Sequence, residues 1–235
     1  MDNQWLASLD KRDRARLDPH MTVVDFERGR TLFEAGADLD AVWFPTGGVV
    51  SLMTLLDGGK MVETAAIGRE GLVGVTCGPL NGRANSRAVT NTAGSAMRMD
   101  AAAFSQALER SEALRAALAR YTESLFAQVQ QVAACNAQHR IEDRLARWLL
   151  MLHDRADGDR FELTQEGIAE MLGVRRATVS EIGSGLESKG LIRRGRGLVE
   201  ILDRPSLEQA SCSCYGAIRD VMAELDIDPG LPKAS

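Results

Sequence analysis

Residues Leu163 to Leu191, LTQEGIAEMLGVRRATVSEIGSGLESKGL, constrain the fold more than any other stretch of this 235-residue chain. Apolar side chains at Ile168, Met171 and Leu172, then at Val174, Val179, Ile182 and Leu186, recur at helical spacing, so two short helices would share one small core. Gly173 stands where the turn between them is needed. Thr164 can cap the first helix, although Gly167 rather than an acidic residue follows three positions on and leaves the capping box incomplete. Arg175, Arg176, Thr178, Ser180 and Glu181 point away from that core and carry donors and acceptors that read base edges or grip phosphate. Beyond them, Leu191 to Leu202 reads as a strand, a glycine turn and a second strand. The pattern predicts a winged helix-turn-helix seated on duplex DNA.

Charge supports this reading locally rather than globally. The chain carries 28 basic and 33 acidic residues, a net charge of -5. From Arg175 to Arg196 the balance reverses: Arg175, Arg176, Lys189, Arg193, Arg194 and Arg196 face only Glu181 and Glu187. A basic patch is all that a backbone-tracking surface requires. Arg194 and Arg196 in the wing are expected to grip phosphates. Gly183 and Gly185 fall inside the second helix, each costing on the order of 1 kcal/mol relative to alanine, and packing against the first helix is the expected reason. The alternative is a small-molecule-binding module whose winged domain contacts protein, for which Glu181 on the reading face speaks.

The length suits two domains, and a hydrophobic fraction of 45% with 26% charged residues is that of an ordinary globular chain. No run of about 18 apolar residues is present, and the N-terminus MDNQWLASLDKRDRARLD mixes charges throughout, so a cytoplasmic protein without membrane partners is expected. There is no phosphate-binding P-loop, no G-x-G-x-x-G after a strand and no H-E-x-x-H, so no catalysis is expected. Cys212 and Cys214 form a C-x-C pair, but His153, taken as the nearest histidine, is distant and no second cysteine pair completes a zinc set. The four cysteines are therefore read as free thiols and no metal site is expected, with the role of Cys212 and Cys214 left open.

The fold class expected is α+β. A short amphipathic helix with Trp5, Leu6, Leu9 and Leu17 precedes a glycine-punctuated region whose strand-like segments are Val23–Phe26, Thr31–Phe33, Ala41–Phe44, Val49–Leu56, Met61–Ile67, Gly71–Val75, Arg87–Asn91 and Ala96–Met99. Many short strands with frequent turns indicate a sandwich or small barrel. From Ala101 to about Ala137 proline and glycine disappear and one long helix is expected. Leu114, Leu118, Tyr121, Leu125 and Val132 form a narrow stripe on it, and such a seam predicts pairing with an identical helix, the alternative being a helix that packs on its own domain. Gln128 is the polar break in the stripe, placed to fix register or touch a ligand. The next helix, Ile141 to His153, would turn Leu145, Trp148, Leu149 and Leu152 inward and Arg144, Arg147 and Arg155 outward.

The order of these parts resembles the Crp/Fnr superfamily of bacterial transcription regulators over nearly the full length. The resemblance implies a jelly-roll-like, cyclic-nucleotide-binding-like β-roll at 1–105, a dimerisation helix and hinge at 106–140, and a winged helix-turn-helix DNA-binding domain at 141–235. It implies a homodimer on a two-fold operator, with RNA polymerase as a further partner. By position, Thr164 and Gln165 match the phosphate-contacting helix start and Arg176 the guanine-reading arginine. Where the family commonly has an acidic residue and then an arginine four positions on, this chain has Ala177 and Glu181, which points to a different operator from TGTGA. The effector cassette departs further. Gly68-Arg69-Glu70-Gly71 displaces the ribose-binding glutamate by one residue, and Asn85-Ser86-Arg87-Ala88 exchanges serine and arginine. Gly68, Glu70, Ser86, Arg87 and Gln128 are the residues of the expected effector pocket. The one-residue shift can aim Arg87 out of it and counts against cyclic AMP. An iron-sulfur cluster lacks clustered N-terminal thiolates, and a haem has only His20 and Cys77 as candidate ligands before the long helix. The effector is left unnamed.

Overall fold

The structure is a computed structural model that describes residues 3–75, 82–225 and 227. Two short helices, α1 (Gln4–Ser8) and α2 (Lys11–Leu17), lead into seven strands: β1 (Met21–Phe26), β2 (Thr31–Phe33), β3 (Ala41–Gly47), β4 (Val50–Leu55), β5 (Met61–Ile67), β6 (Arg87–Thr90) and β7 (Gly94–Asp100). All pair antiparallel, in one sheet of order β1-β7-β3 and another of order β2-β6-β4-β5. Their buried faces enclose one core in which Trp5 stacks on Phe44 at 5.7 Å between ring centroids and Phe104 meets both edge-on. The strand expected at Gly71–Val75 is only a single bridge, Val73 to Trp43, because the chain there turns past the helices instead of joining a ladder. Cys77 and the turn signal at Gly78-Pro79 lie outside the described residues.

The helix expected from Ala101 is two helices, α3 (Ala101–Glu109) and α4 (Glu112–Gln138). Ser111 breaks the run: its backbone is extended and its hydroxyl accepts from the N–H of Leu114, capping α4. Among the described residues α4 is long, but no helix is long and apolar enough to cross a membrane.

The C-terminal part follows as α5 (Ile141–Arg155), β8 (Arg160–Glu162), α6 (Gln165–Leu172), α7 (Arg176–Ser188), β9 (Ile192–Gly195), β10 (Leu198–Ile201), α8 (Arg204–Gln209) and α9 (Cys214–Glu224). The wing is a β8-β10-β9 sheet with one more strand than the expected hairpin. Arg160, Phe161 and Glu162 are too short a run for alternation to mark them. Leu145, Leu149, Ile168, Leu172, Val179, Ile182, Leu186, Ile192 and Val199 make the shared core.

The two halves meet along α4 and α5, and here the expected orientation is reversed for two of the three arginines, while Arg144 is half-buried and donates to the Leu172 carbonyl at 2.7 Å. Arg147 and Arg155 are buried, not outward, because α5 is wedged between the β-roll and the winged core and has little solvent face. Arg155 Nε donates to Glu70 Oε1 at 2.6 Å and its Nη1 to the Met151 carbonyl at 2.9 Å. Trp148 Nε1 donates to Glu63 Oε1 at 2.9 Å, and the Ala66 N–H donates to Gln128 Oε1 at 2.9 Å. Three polar links thus tie β5 and the loop after it to the helices that carry the winged domain.

Candidate nucleic-acid interface

Local chemistry builds the motif as the sequence predicts. Thr164 caps α6, its hydroxyl accepting from the Gly167 N–H at 3.0 Å. Gly173 closes α6 in the left-handed region, at φ 67° and ψ 34°, where a side chain would be strained and its Cβ would press on Val62 of β5. The chain re-enters α7 at Arg175, so Arg175 and Arg176 sit at its first turn. Val179, Ile182, Gly183 and Leu186 face inward; Arg175, Arg176, Glu181 and Lys189 are exposed, while Thr178 and Ser180 are half-buried beside them. Arg176 reaches back to α6, with Nε 2.9 Å from Glu166 and 3.3 Å from Gln165 Oε1. A cleft of about 350 Å³ separates these groups from the wing, lined by Thr164, Gln165, Arg176, Arg194, Arg196 and Gly197.

Arg194 is not the free phosphate ligand that its place in the wing predicts. It lies across α7: Nη1 donates to the Ser180 carbonyl at 3.1 Å, Nη2 to Ser184 Oγ at 2.7 Å, and Nη2 to Glu187 Oε2 at 3.0 Å. The hydrogen bonds from Arg194, its backbone N–H foremost, hold the Glu187 carboxyl below its ordinary range. This also corrects the account of Gly183. Its neighbour is the wing, not the first helix, because a Cβ there would sit 2.6 Å from Arg194 Nη1. Gly185 faces open space, and nothing in the structure explains it. Of the wing cations, Arg193 pairs with Glu200 at 2.8 Å, and Arg196 is exposed at the turn.

The expected effector pocket is not assembled. Glu70 is buried in its ion pair with Arg155, and Gln128 is committed to the Ala66 N–H. Gly68 and Gly71 are needed for close approach: a Cβ on Gly68 would lie 2.8 Å from Arg155 Cβ, and one on Gly71 would overlap the Tyr121 ring. The glycines that resemble a ribose-binding turn are the socket into which α4 and α5 dock. Ser86 is buried, and Arg87 turns to β2, donating to Thr31 Oγ1 at 2.7 Å and lying 3.4 Å from Glu34. His20 is exposed in the turn before β1.

The stripe expected to pair with a second subunit is also used internally. Leu114, Tyr121, Leu125 and Val132 are buried and Leu118 is half-buried within the subunit, and Tyr121 Oη donates to the Leu72 carbonyl at 2.8 Å. The reason is that the β-roll's own apolar edge competes for that face. Sequence reasoning missed the opposite seam, Ala116, Ala119, Glu123, Phe126, Gln130 and Ala133, which follows a three-four spacing and is exposed throughout, Phe126 at 61%. The sequence reading also did not bring together Cys135, His139, Cys212 and Cys214, whose ligand-capable atoms lie within 4.8 Å of one another. His139, one helical turn after Cys135, is the histidine the spacing argument passed over.

Residues 143–210 match the family of Crp-like helix-turn-helix domains. The chain is 28% identical over 180 residues to the global nitrogen regulator of Nostoc sp., a match covering 72% of this chain and 80% of that protein. In structure it is similar to FixK2 from Bradyrhizobium japonicum, with a TM-score of 0.69 at 18% identity over 82% of this chain and 98% of that one. A transcriptional regulator of the Crp/Fnr family from Eubacterium rectale gives a TM-score of 0.68 at 15% identity, over 87% and 95%. The chain therefore has the fold of the Crp/Fnr regulators, and its residues 143–210 are similar to Crp-like helix-turn-helix domains.

Proposed function

We propose that the chain works as a homodimeric, sequence-specific DNA-binding transcription regulator, with residues 1–105 as sensor, 106–140 as dimer helix and hinge, and 141–235 as reader. The observation that carries this is the exposed first turn of α7, where Arg175 and Arg176 stand beside the capped start of α6 and above the wing cleft. Arg176 reads a base edge, Thr164, Gln165, Lys189 and Arg196 contact phosphate, and Thr178, Ser180 and Glu181 border the groove. Arg194 acts indirectly, by fixing the wing to α7. The exposed seam around Phe126, not the buried stripe, supplies the dimer contact. The sensor signals through the links from β5 and its loop to α4 and α5, and its effector is not a cyclic nucleotide held in the family manner, since Glu70 and Arg87 have other partners. Contact with RNA polymerase completes the role.

Selection of bound sequences from random duplexes at stated salt tests the DNA reading. A two-fold-symmetric consensus is expected, and enrichment of no sequence would refute it. Phe126→Glu should convert the dimer to monomer in light scattering and abolish the symmetric footprint; an unchanged mass would place the dimer contact elsewhere.

A further inference from the structure

Three thiols and an imidazole from separate parts of the chain converge at the joint between α4 and the winged domain. Cys135 and His139 are one turn apart at the end of α4, Cys212 lies in the connection after α8, and Cys214 opens α9. Cys135 Sγ is 3.5 Å from Cys212 Sγ, and Cys214 Sγ is 3.3 Å from His139 Nδ1. Around a tetrahedral ion with metal–sulfur bonds of about 2.3 Å and metal–nitrogen bonds of about 2.0 Å, ligand atoms stand roughly 3.4 to 3.8 Å apart. The four atoms, all within 4.8 Å of one another, are therefore close to the required spacing. The three cysteines are buried and free, and the closest sulfurs are well beyond the roughly 2.05 Å of a disulfide.

Hydrogen-bond donors surround the sulfurs. Gln131 Nε2 donates to Cys214 Sγ at 3.0 Å, and the Cys214 backbone N–H donates to the Cys212 sulfur. Such outer groups orient ligands and stabilise the charge they carry on a metal. Three sulfurs and one nitrogen select a borderline-soft cation, whereas magnesium and calcium need oxygen. Four atoms this close fit around one ion; a polynuclear cluster requires them to stand further apart.

We propose that Cys135, His139, Cys212 and Cys214 form a closed tetrahedral site for one zinc-class divalent cation, which clamps the end of α4 to the α8–α9 connection. Binding displaces the thiol protons to solvent. His139 is the C-cap of α4 and Arg140 the N-cap of α5, so the ion holds the hinge between the long helix and the reader. The proposal is independent of the DNA reading.

The full-length chain, stripped of metal under non-chelating reducing conditions, is titrated with Co(II) and then Zn(II). Binding of one Co(II) per chain, with the intense absorption of tetrahedral thiolate coordination, displacement by Zn(II) and a rise in melting temperature, is the expected result. The Cys212→Ser/Cys214→Ser variant should lose the sulfur-to-cobalt absorption. His139→Ala alters only a half-buried position, so it tests the site if the cysteine variant fails to fold, and Co(II) affinity should fall at least tenfold with the helical circular dichroism retained. Wild-type binding no stronger than that of His139→Ala would overturn the proposal. So would a mass two hydrogens lighter in protein purified without oxidant, marking a Cys135–Cys212 disulfide as the resting state.

Discussion

Replacing Glu63 by glutamine should change how stability depends on pH. Glu63 lies between β5 and α5, accepting from Ser51 Oγ at 2.5 Å and Trp148 Nε1 at 2.9 Å, and it is almost wholly out of water. Burial raises its pKa from 4.5 to about 7, against the opposing pull of those hydrogen bonds and of Arg147 and Arg155. Because the folded state holds this proton more tightly than the unfolded chain does, the native state gains from it at low pH. That gain is lost as pH rises from 4.5 through about 7. At 1.36 kcal/mol per pKa unit, the whole loss is on the order of 3 kcal/mol. Glu63→Gln keeps the shape and an acceptor for Trp148 but cannot ionise. Urea unfolding of both proteins across this window should therefore show wild type falling behind the variant by about that amount as pH rises, with the curves parallel above it. Curves that stay parallel throughout would show that the carboxyl is not held protonated.

Arg176→Ala should weaken binding to the selected operator by about 1 to 3 kcal/mol and binding to random duplex much less. Equal losses in a fluorescence anisotropy titration would make it a phosphate contact only. Gly185→Ala should stabilise the protein by up to about 1 kcal/mol, since its Cβ meets nothing, whereas Gly183→Ala must displace Arg194 and should destabilise it. Melting temperatures that move together would contradict this. Arg155→Met leaves Glu70 buried without its partner and should cost about 3 to 5 kcal/mol, most of which Glu70→Gln in the same chain should restore. Failure of that second change to restore stability would mean that Arg155 matters chiefly through packing.

The motif was legible in the sequence because its determinants are local. A threonine cap, a left-handed glycine and apolar spacing within each helix settle α6 and α7 without reference to the rest of the chain. The seven strands of the β-roll were legible for the same reason, glycine by glycine, whereas Gly71–Val75 makes only a bridge and β8 was too short to mark. What could not be read was which partner each amphipathic face meets. The Leu114-to-Val132 stripe fits a second subunit or the β-roll equally well, and only the folded position of Gly71 beneath Tyr121 decides between them. Arg147 and Arg155 looked solvated because arginine usually is; their burial depends on Glu70 and on a wedge between two cores. The thiol and imidazole cluster joins residues some 77 positions apart, beyond the reach of any spacing rule, although Cys135 and His139 on one helical face were a visible half of it.

The bonds from Arg194 to Ser180, Ser184 and Glu187 make hairpin and reading helix a single blade. Such a blade meets its target already ordered, so little freedom remains to be surrendered on contact. The adjustment then falls to the double helix, and the sites preferred should be those whose base steps yield most easily, including steps that no side chain touches.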